Sequence, residues 1–257
     1  QRTITIQSIG KKIDVLNPNY DPTGGRGAGN KYLKARDFSF GSRGVGNNKG
    51  NVYLNGVPLT ITKWNKDTIT AVLPPDATTG RLMVKRGNGN WTEIGVTFNV
   101  VDCATTTVIN VNAGQSIQAA IDTALPGNLI VVAPGTYNEN VVMHKPVRLQ
   151  GAGAWSTFIN ADPNPLDRLQ AWHDRIDALG GAEYEAFLLK KIFYQNEAPG
   201  IAVIGDIEYP GGTVQFPDPY NPKTLNPGNP FNTEGQAKID GFTILGSKAG
   251  GGIAVFS

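Results

Sequence analysis

Between residues 129 and 160 the chain packs short apolar runs so closely that no helix fits between them. Leu129-Ile130-Val131-Val132-Ala133 is bounded by turn residues, and Val141-Val142-Met143, Val147-Arg148-Leu149-Gln150-Gly151 and Thr157-Phe158-Ile159-Asn160 follow at short intervals. A continuous apolar run of this kind suits a strand buried on its inner side. Pro134-Gly135-Thr136-Tyr137 reads as a corner. Three such strands joined by tight turns make one coil, and no coil buries its inner residues alone, so neighbouring coils must cover it. Ahead of these runs, Ser116-Ile117-Gln118-Ala119-Ala120-Ile121-Asp122-Thr123-Ala124 spaces its apolar residues as a helix does, with Ser116 as N-cap and Pro126-Gly127 as the stop. Such a helix is expected to plug the open end of the stack and shield its strand edge.

The first hundred residues follow a different rule. Period-two alternation marks Thr3-Ile4-Thr5-Ile6, Lys31-Tyr32-Leu33-Lys34-Ala35-Arg36-Asp37-Phe38 and Asn51-Val52-Tyr53-Leu54 as strands. Asn55-Gly56 then makes a hairpin turn, because both residues tolerate positive φ. The spans 57–61, 68–73, 81–85 and 96–101 read as further strands, with Pro74-Pro75 stopping one of them. About seven short strands in such a length make a two-sheet sandwich the natural solution.

Residues 38–101 resemble an IPT/TIG domain, an immunoglobulin-like module. The matching features are Phe40-Gly41 before a Gly-rich loop, Asn55-Gly56-Val57 ending a strand, and Trp64 followed by Asp67-Thr68-Ile69-Thr70. The Pro-rich turn and the closing Val96-Thr97-Phe98-Asn99-Val100 fit as well. The Gly/Asn-rich loops at 24–30 and 41–50 are longer than the pattern. Neither loop carries a Gly-Lys-Ser/Thr ending or opens a helix, so neither reads as a phosphate loop. The resemblance implies a spacer or adhesive module without chemistry of its own.

The second half resembles the opening coil of the pectin-lyase-like superfamily. Gln115-Ser116-Ile117-Gln118-Ala119-Ala120-Ile121 with Pro126-Gly127-Asn128, Val132-Ala133-Pro134-Gly135-Thr136-Tyr137 and Leu149-Gln150-Gly151-Ala152-Gly153 carry that likeness. It returns at Ile239-Asp240-Gly241-Phe242-Thr243-Ile244 and Gly250-Gly251-Gly252-Ile253-Ala254-Val255. The superfamily includes lyases, esterases and non-enzymatic members.

The expected fold is therefore all-β. An Ig-like β-sandwich over 1–102 precedes the N-terminal part of a right-handed parallel β-helix over 108–257, with a polar joint between them. Two insertions interrupt the second domain. At about 162–197, Leu166, Leu169, Trp172, Ile176 and Leu179 keep helical spacing up to Gly180-Gly181, and Tyr184, Phe187, Leu188 and Ile192 do so again, which predicts a helical hairpin. At 208–236 a Pro-, Asn- and Gly-rich excursion is too long for a plain connection and predicts an ordered loop with a binding or packing role.

Charge is unevenly placed: residues 1–102 carry a formal +7 and residues 103–257 a formal −5. No dense Lys/Arg run with interleaved aromatics occurs, so nucleic acid is not the expected partner. Cys103 is the only cysteine, which excludes an internal disulfide and Cys-based metal motifs. No run of apolar residues is long enough for a spanning helix. Abundant Asn, Gly and Thr in short strands, together with a start at Gln1, suits a secreted or cell-surface bacterial protein; a trimmed piece would begin the same way. Gly250 onward reads as a strand within a coil, so further coils or a partner packed end-on are expected.

Candidates for chemistry are sparse. Lyases and esterases on the resembled scaffold use Asp pairs, Arg or Lys bases and Ca²⁺, and none of those motifs transfers residue by residue. Exposed aromatics Tyr209, Phe216, Tyr220 and Phe231 in the long loop are the candidate sugar-stacking residues, as are Trp64 and Trp91 in the first domain. Asp162, Asp167 and Asp174 are the candidate Ca²⁺ ligands, the one cofactor considered. Asp206, Glu208 and Asp240 are further acids of interest, and His144 and His173 are the only histidines. Asn90-Trp91-Thr92 is a glycosylation sequon. The expected function is an extracellular structural or adhesive module that contacts glycans or other surface proteins, without catalysis in this segment. The alternative is the N-terminal part of a polysaccharide lyase or carbohydrate esterase whose active coils lie beyond residue 257.

Overall fold

The computed structural model describes residues 2–10, 13–17, 19, 21, 23–24, 30–31, 33–92, 95–102, 104, 106–162, 166–184, 197–204, 237–247 and 251–256. Strands dominate these residues, and only two α-helices occur among them. The chain divides into two compact units, Gln1–Val101 and Asp102–Ser257.

In the first unit the strands are β1 (Arg2–Gln7), β2 (Ile13–Leu16), β3 (Leu33–Arg36), β4 (Asn51–Leu54), β5 (Val57–Pro58), β6 (Thr60–Trp64), β7 (Thr68–Leu73), β8 (Gly80–Lys85) and β9 (Val96–Phe98). They form antiparallel sheets of order β1-β7-β6 and β5-β4-β8-β9, with β2 and β3 paired separately. Alternation decides which side chains enter the core. Ile4, Ile69, Ala71 and Leu73 from the first sheet share one apolar cluster with Val52, Leu54, Leu82 and Val84 from the second. Val52 and Ile69 are wholly buried, worth about 1.5–3 kcal/mol each. The turn after β4 has positive φ at both Asn55 and Gly56, as that dipeptide predicts. The single strand expected over 57–61 is instead divided. Val57–Pro58 pairs with β4, Thr60–Trp64 pairs with β7, and the buried Leu59 between them sends its N–H back to the Val52 carbonyl at 2.8 Å.

The second unit opens with β10 (Val108–Val111) and α1 (Ile117–Thr123). Then follow β11 (Leu129–Val132), β12 (Gly135–Tyr137), β13 (Val141–Met143), β14 (Arg148–Gly151), β15 (Thr157–Asn160), α2 (Leu166–Tyr184), β16 (Ile201–Ile204), β17 (Lys238–Asp240), β18 (Thr243–Leu245) and β19 (Ile253–Phe256). All pairing here is parallel, in sheets of order β10-β11-β14-β17, β12-β15-β18 and β13-β16-β19. From β11 onward the chain visits the three sheets in one fixed order, three times over. The Pro134-Gly135-Thr136-Tyr137 corner is corrected by this pairing. Gly135–Tyr137 is a strand, because it lies against Thr157, Phe158 and Ile159 of the next passage.

Inward residues Ile130, Val132, Val141, Met143, Leu149, Ile159, Ile201 and Val203 make one core with Ile117 and Ile121 of α1. The sheet β13-β16-β19 is buried on its other face too. There Val142, Ala202 and Ile204 pack with Leu169, Trp172 and Ile176 of α2, whose spacing puts them on one stripe of the helix. Two expectations for this helix change. Leu166 is 65% exposed rather than packed, and Gly180-Gly181 does not stop the helix, which runs on to Tyr184. The second helix of the expected hairpin, around Phe187, Leu188 and Ile192, lies outside the described residues.

Candidate functional site

Helix α1 is held at both ends by charged side chains from the segments flanking β13. Ser116 is the N-cap, and its Oγ accepts from the Ala119 N–H at 3.1 Å. The Glu139 carboxylate accepts from the Ile117 and Gln118 N–H groups at 2.9 and 3.0 Å and from the Ser116 hydroxyl at 2.9 Å. Free N–H groups and the positive end of the helix dipole both favour an anion there. At the other end the Lys145 ammonium donates to the Asp122 and Ala124 carbonyls at 2.6 and 2.9 Å. Between these caps the buried Gln118 acts as a short strand. Its Oε1 accepts from the Val142 N–H at 2.7 Å and its Nε2 donates to the Val142 carbonyl at 3.0 Å, satisfying the outer edge of β13. Arg175 of α2 completes the group, donating to both oxygens of Asp122 at 2.8 and 2.9 Å.

His144 sits inside this network. Its Nδ1 is buried with no hydrogen-bond partner among the described residues. Burial, then the neighbouring Lys145, holds its pKa below the usual histidine value of 6.5, with Asp122 opposing. Because the folded pKa is depressed, the unfolded chain binds the proton more readily. Stability is complete above about pH 6.5 and is lost as pH falls through the lower folded value. The melting temperature should fall between about pH 7.5 and about pH 5, and His144→Asn should flatten that decline. An equally steep decline in the variant would remove His144 as its source.

This network explains how the helix is held; it presents no ligand. Trp155 of the second unit is 38% exposed, but the exposed ring with an aromatic neighbour lies in the first unit. On β4, Val52 and Leu54 point inward, so Tyr53 points outward, where its cross-strand neighbour on β8 is Met83. Beyond β8, Trp91 forms an isolated antiparallel bridge with Lys85. The Trp91 ring comes down beside Tyr53, centroids 4.9 Å apart and planes tilted by 38°. Lys85 Nζ stands 5.9 Å from the Trp91 centroid and donates to the Asn47 carbonyl at 3.4 Å. Trp91 keeps 45% of its surface exposed. Thr92, the last residue of the sequon, accepts through its hydroxyl from the Val84 N–H at 3.1 Å and so pins this segment to β8.

The two tryptophans paired in the sequence reading thus separate. Trp64 is half-buried, donates its Nε1–H to the Gly41 carbonyl at 3.1 Å and packs edge-on against Phe40. It organises the 41–50 loop, whereas Trp91 is the ring offered to solvent. Tyr53 and Lys85 escaped the sequence reading, although period-two alternation put both on the outward face. What the sequence lacked was the register that sets them beside Trp91.

Among the described residues the other candidates do not gather into one site. Tyr209, Phe216, Tyr220 and Phe231 lie outside the described residues, as do Asp206, Glu208 and Cys103. Asp162 follows β15, Asp167 in the first turn of α2 accepts from the Arg168 N–H, and Asp174 accepts from Gln170 Nε2 one turn along the helix. These three do not converge, and no group of three metal-ligating side chains occurs among the described residues. Asp240 faces Gln150 across neighbouring strands, and His173 packs edge-on against Trp172. No described helix is long and apolar enough to cross a membrane. Comparison with protein-family models, curated proteins and solved structures finds no match.

Proposed function

We propose that this chain is an extracellular or cell-surface structural and adhesive module that touches glycans through Trp91. In this reading the first unit is an IPT/TIG-like immunoglobulin-type sandwich. The second is the opening of a right-handed parallel β-helix of the pectin-lyase-like kind. Two antiparallel sheets sharing one core support the former, and three parallel sheets visited in a fixed order support the latter. The observation that carries the functional part is the half-exposed Trp91 ring set against Tyr53. Pyranose rings present flat arrays of C–H groups, and an aromatic ring with one wet side gives them an apolar seat. Isothermal titration against a panel of soluble polysaccharides tests the reading. Trp91→Ala should weaken binding by about tenfold or more, about 1.4 kcal/mol, while the protein still melts cooperatively. Unchanged affinity in that variant would remove Trp91 from the reading.

One observation favours a second reading. Ile253 and Val255 stand in register with the inward-facing Ile201 and Val203, yet are 45% and 66% exposed. In that reading the chain is the N-terminal part of a polysaccharide lyase or esterase, with active coils beyond residue 257. Release of unsaturated uronate or methanol by the natural polypeptide, with and without Ca²⁺, would decide for it.

A further inference from the structure

We infer that the Trp91 face selects acidic glycans, chains whose sugar rings carry carboxylates; this rests on the reading of Trp91 as a sugar-stacking ring. The segments that build the face carry charge of one sign. Residues 40–58 and 80–92 supply β4, β5 and β8, the Gly-rich loop and Trp91 itself. They contain five cations, Arg43, Lys49, Arg81, Lys85 and Arg86, and no Asp or Glu. The carboxylate nearest to Trp91 in sequence, Glu93, lies outside the described residues. A solvated sheet face more commonly mixes both signs.

Geometry then gives one of these cations a defined place. Lys85 pairs through its backbone with Trp91, and its ammonium is drawn beside the indole ring while donating to Asn47. The ammonium spends only one donor on the protein in this contact, and it has three. A uronate-type ring set against Trp91 would bring its C–H face to the indole and its carboxylate toward the Lys85 ammonium, which stands over the ring 5.9 Å from its centroid. Stacking and ion pairing would then act on one sugar unit. Neutral sugars would gain only the stacking. A charge-assisted contact is stronger than a neutral one, and salt screens it at such an exposed site.

Carboxymethyl cellulose and hydroxyethyl cellulose share a backbone and differ in charge, which makes them the probes. Affinity electrophoresis in each polymer should show retardation by carboxymethyl cellulose at roughly tenfold lower polymer concentration, an advantage that shrinks toward parity in about 0.5 M NaCl. Lys85→Gln should remove most of that advantage while leaving retardation by hydroxyethyl cellulose intact. Trp91→Ala should reduce retardation in both gels. Equal retardation of the wild-type protein in both polymers, or an advantage that survives Lys85→Gln, overturns the selection for charge and leaves the stacking role of Trp91 standing. Full retardation of Trp91→Ala in both gels overturns the stacking role, and with it this inference. No retardation of the wild type in either gel overturns both.

Discussion

Gly241→Ala should destabilise the second unit by about 2–5 kcal/mol, a large share of the ~5–15 kcal/mol that holds a typical domain together. Two costs coincide at this position. Gly241 has φ +80°, which an L-residue adopts at a cost of about 1–2 kcal/mol. An added Cβ would also stand 2.4 Å from the Gly151 carbonyl oxygen and 2.8 Å from its carbon. That neighbour is backbone of the adjacent passage and cannot swing aside, so overpacking adds about 1–3 kcal/mol. The contact is mutual, since a Cβ on Gly151 would meet the Gly241 oxygen at 2.3 Å. The two glycines let successive passages turn their corners in contact. Gly251 provides the control. Its φ is +71° but nothing lies within 4 Å of its Cβ position, so Gly251→Ala should cost only the backbone term, about 1–2 kcal/mol. Urea denaturation of the three proteins measures the difference. Equal losses at 241 and 251 would show that the close approach of the two corners contributes nothing.

Gln118→Leu should cost about 2–6 kcal/mol for a different reason. The substitution keeps apolar bulk in a buried position but removes both partners of Val142, whose N–H and carbonyl face α1 and not β16. Each backbone group left buried and unpaired costs about 1–3 kcal/mol. Asp122 also loses the amide that donates to it at 2.9 Å. Because the defect is local, hydrogen exchange at the Val142 amide should accelerate more than at Val141, whose N–H donates to the Gly200 carbonyl. Equal protection at Val142 in both proteins would mean that the glutamine does not close the strand edge. Helix α1 thus does more than cover apolar residues, since one side chain finishes the hydrogen bonding of the sheet it lies on.

The features readable from residues alone were those whose energy is local. The span 68–73 emerges as β7 unchanged, because alternation and a following Pro-Pro settle both its faces and its end. Ser116 caps α1, and Asn55-Gly56 turns with positive φ at both positions, since a side-chain acceptor and a permissive backbone act within a few residues. The expected sugar-contacting role of Trp91 drew only on residue type. Its selection over Trp64 required knowing that Trp64 has a carbonyl partner twenty-three residues away.

Elsewhere the decisive partner is distant along the chain. Gly135-Thr136-Tyr137 has the composition of a turn and becomes a strand because residues 157–159 pair with it. Leu59 interrupts what looks like one strand because its two halves find partners in different sheets. Gly180-Gly181 has the composition of a helix stop, yet α2 continues through it. Alternation and capping are short-range and were therefore written in the residues themselves. Pairing and register are shared between segments that meet only in the folded chain, so which strand adjoins which, and which ring stands beside Lys85, came from the assembled structure.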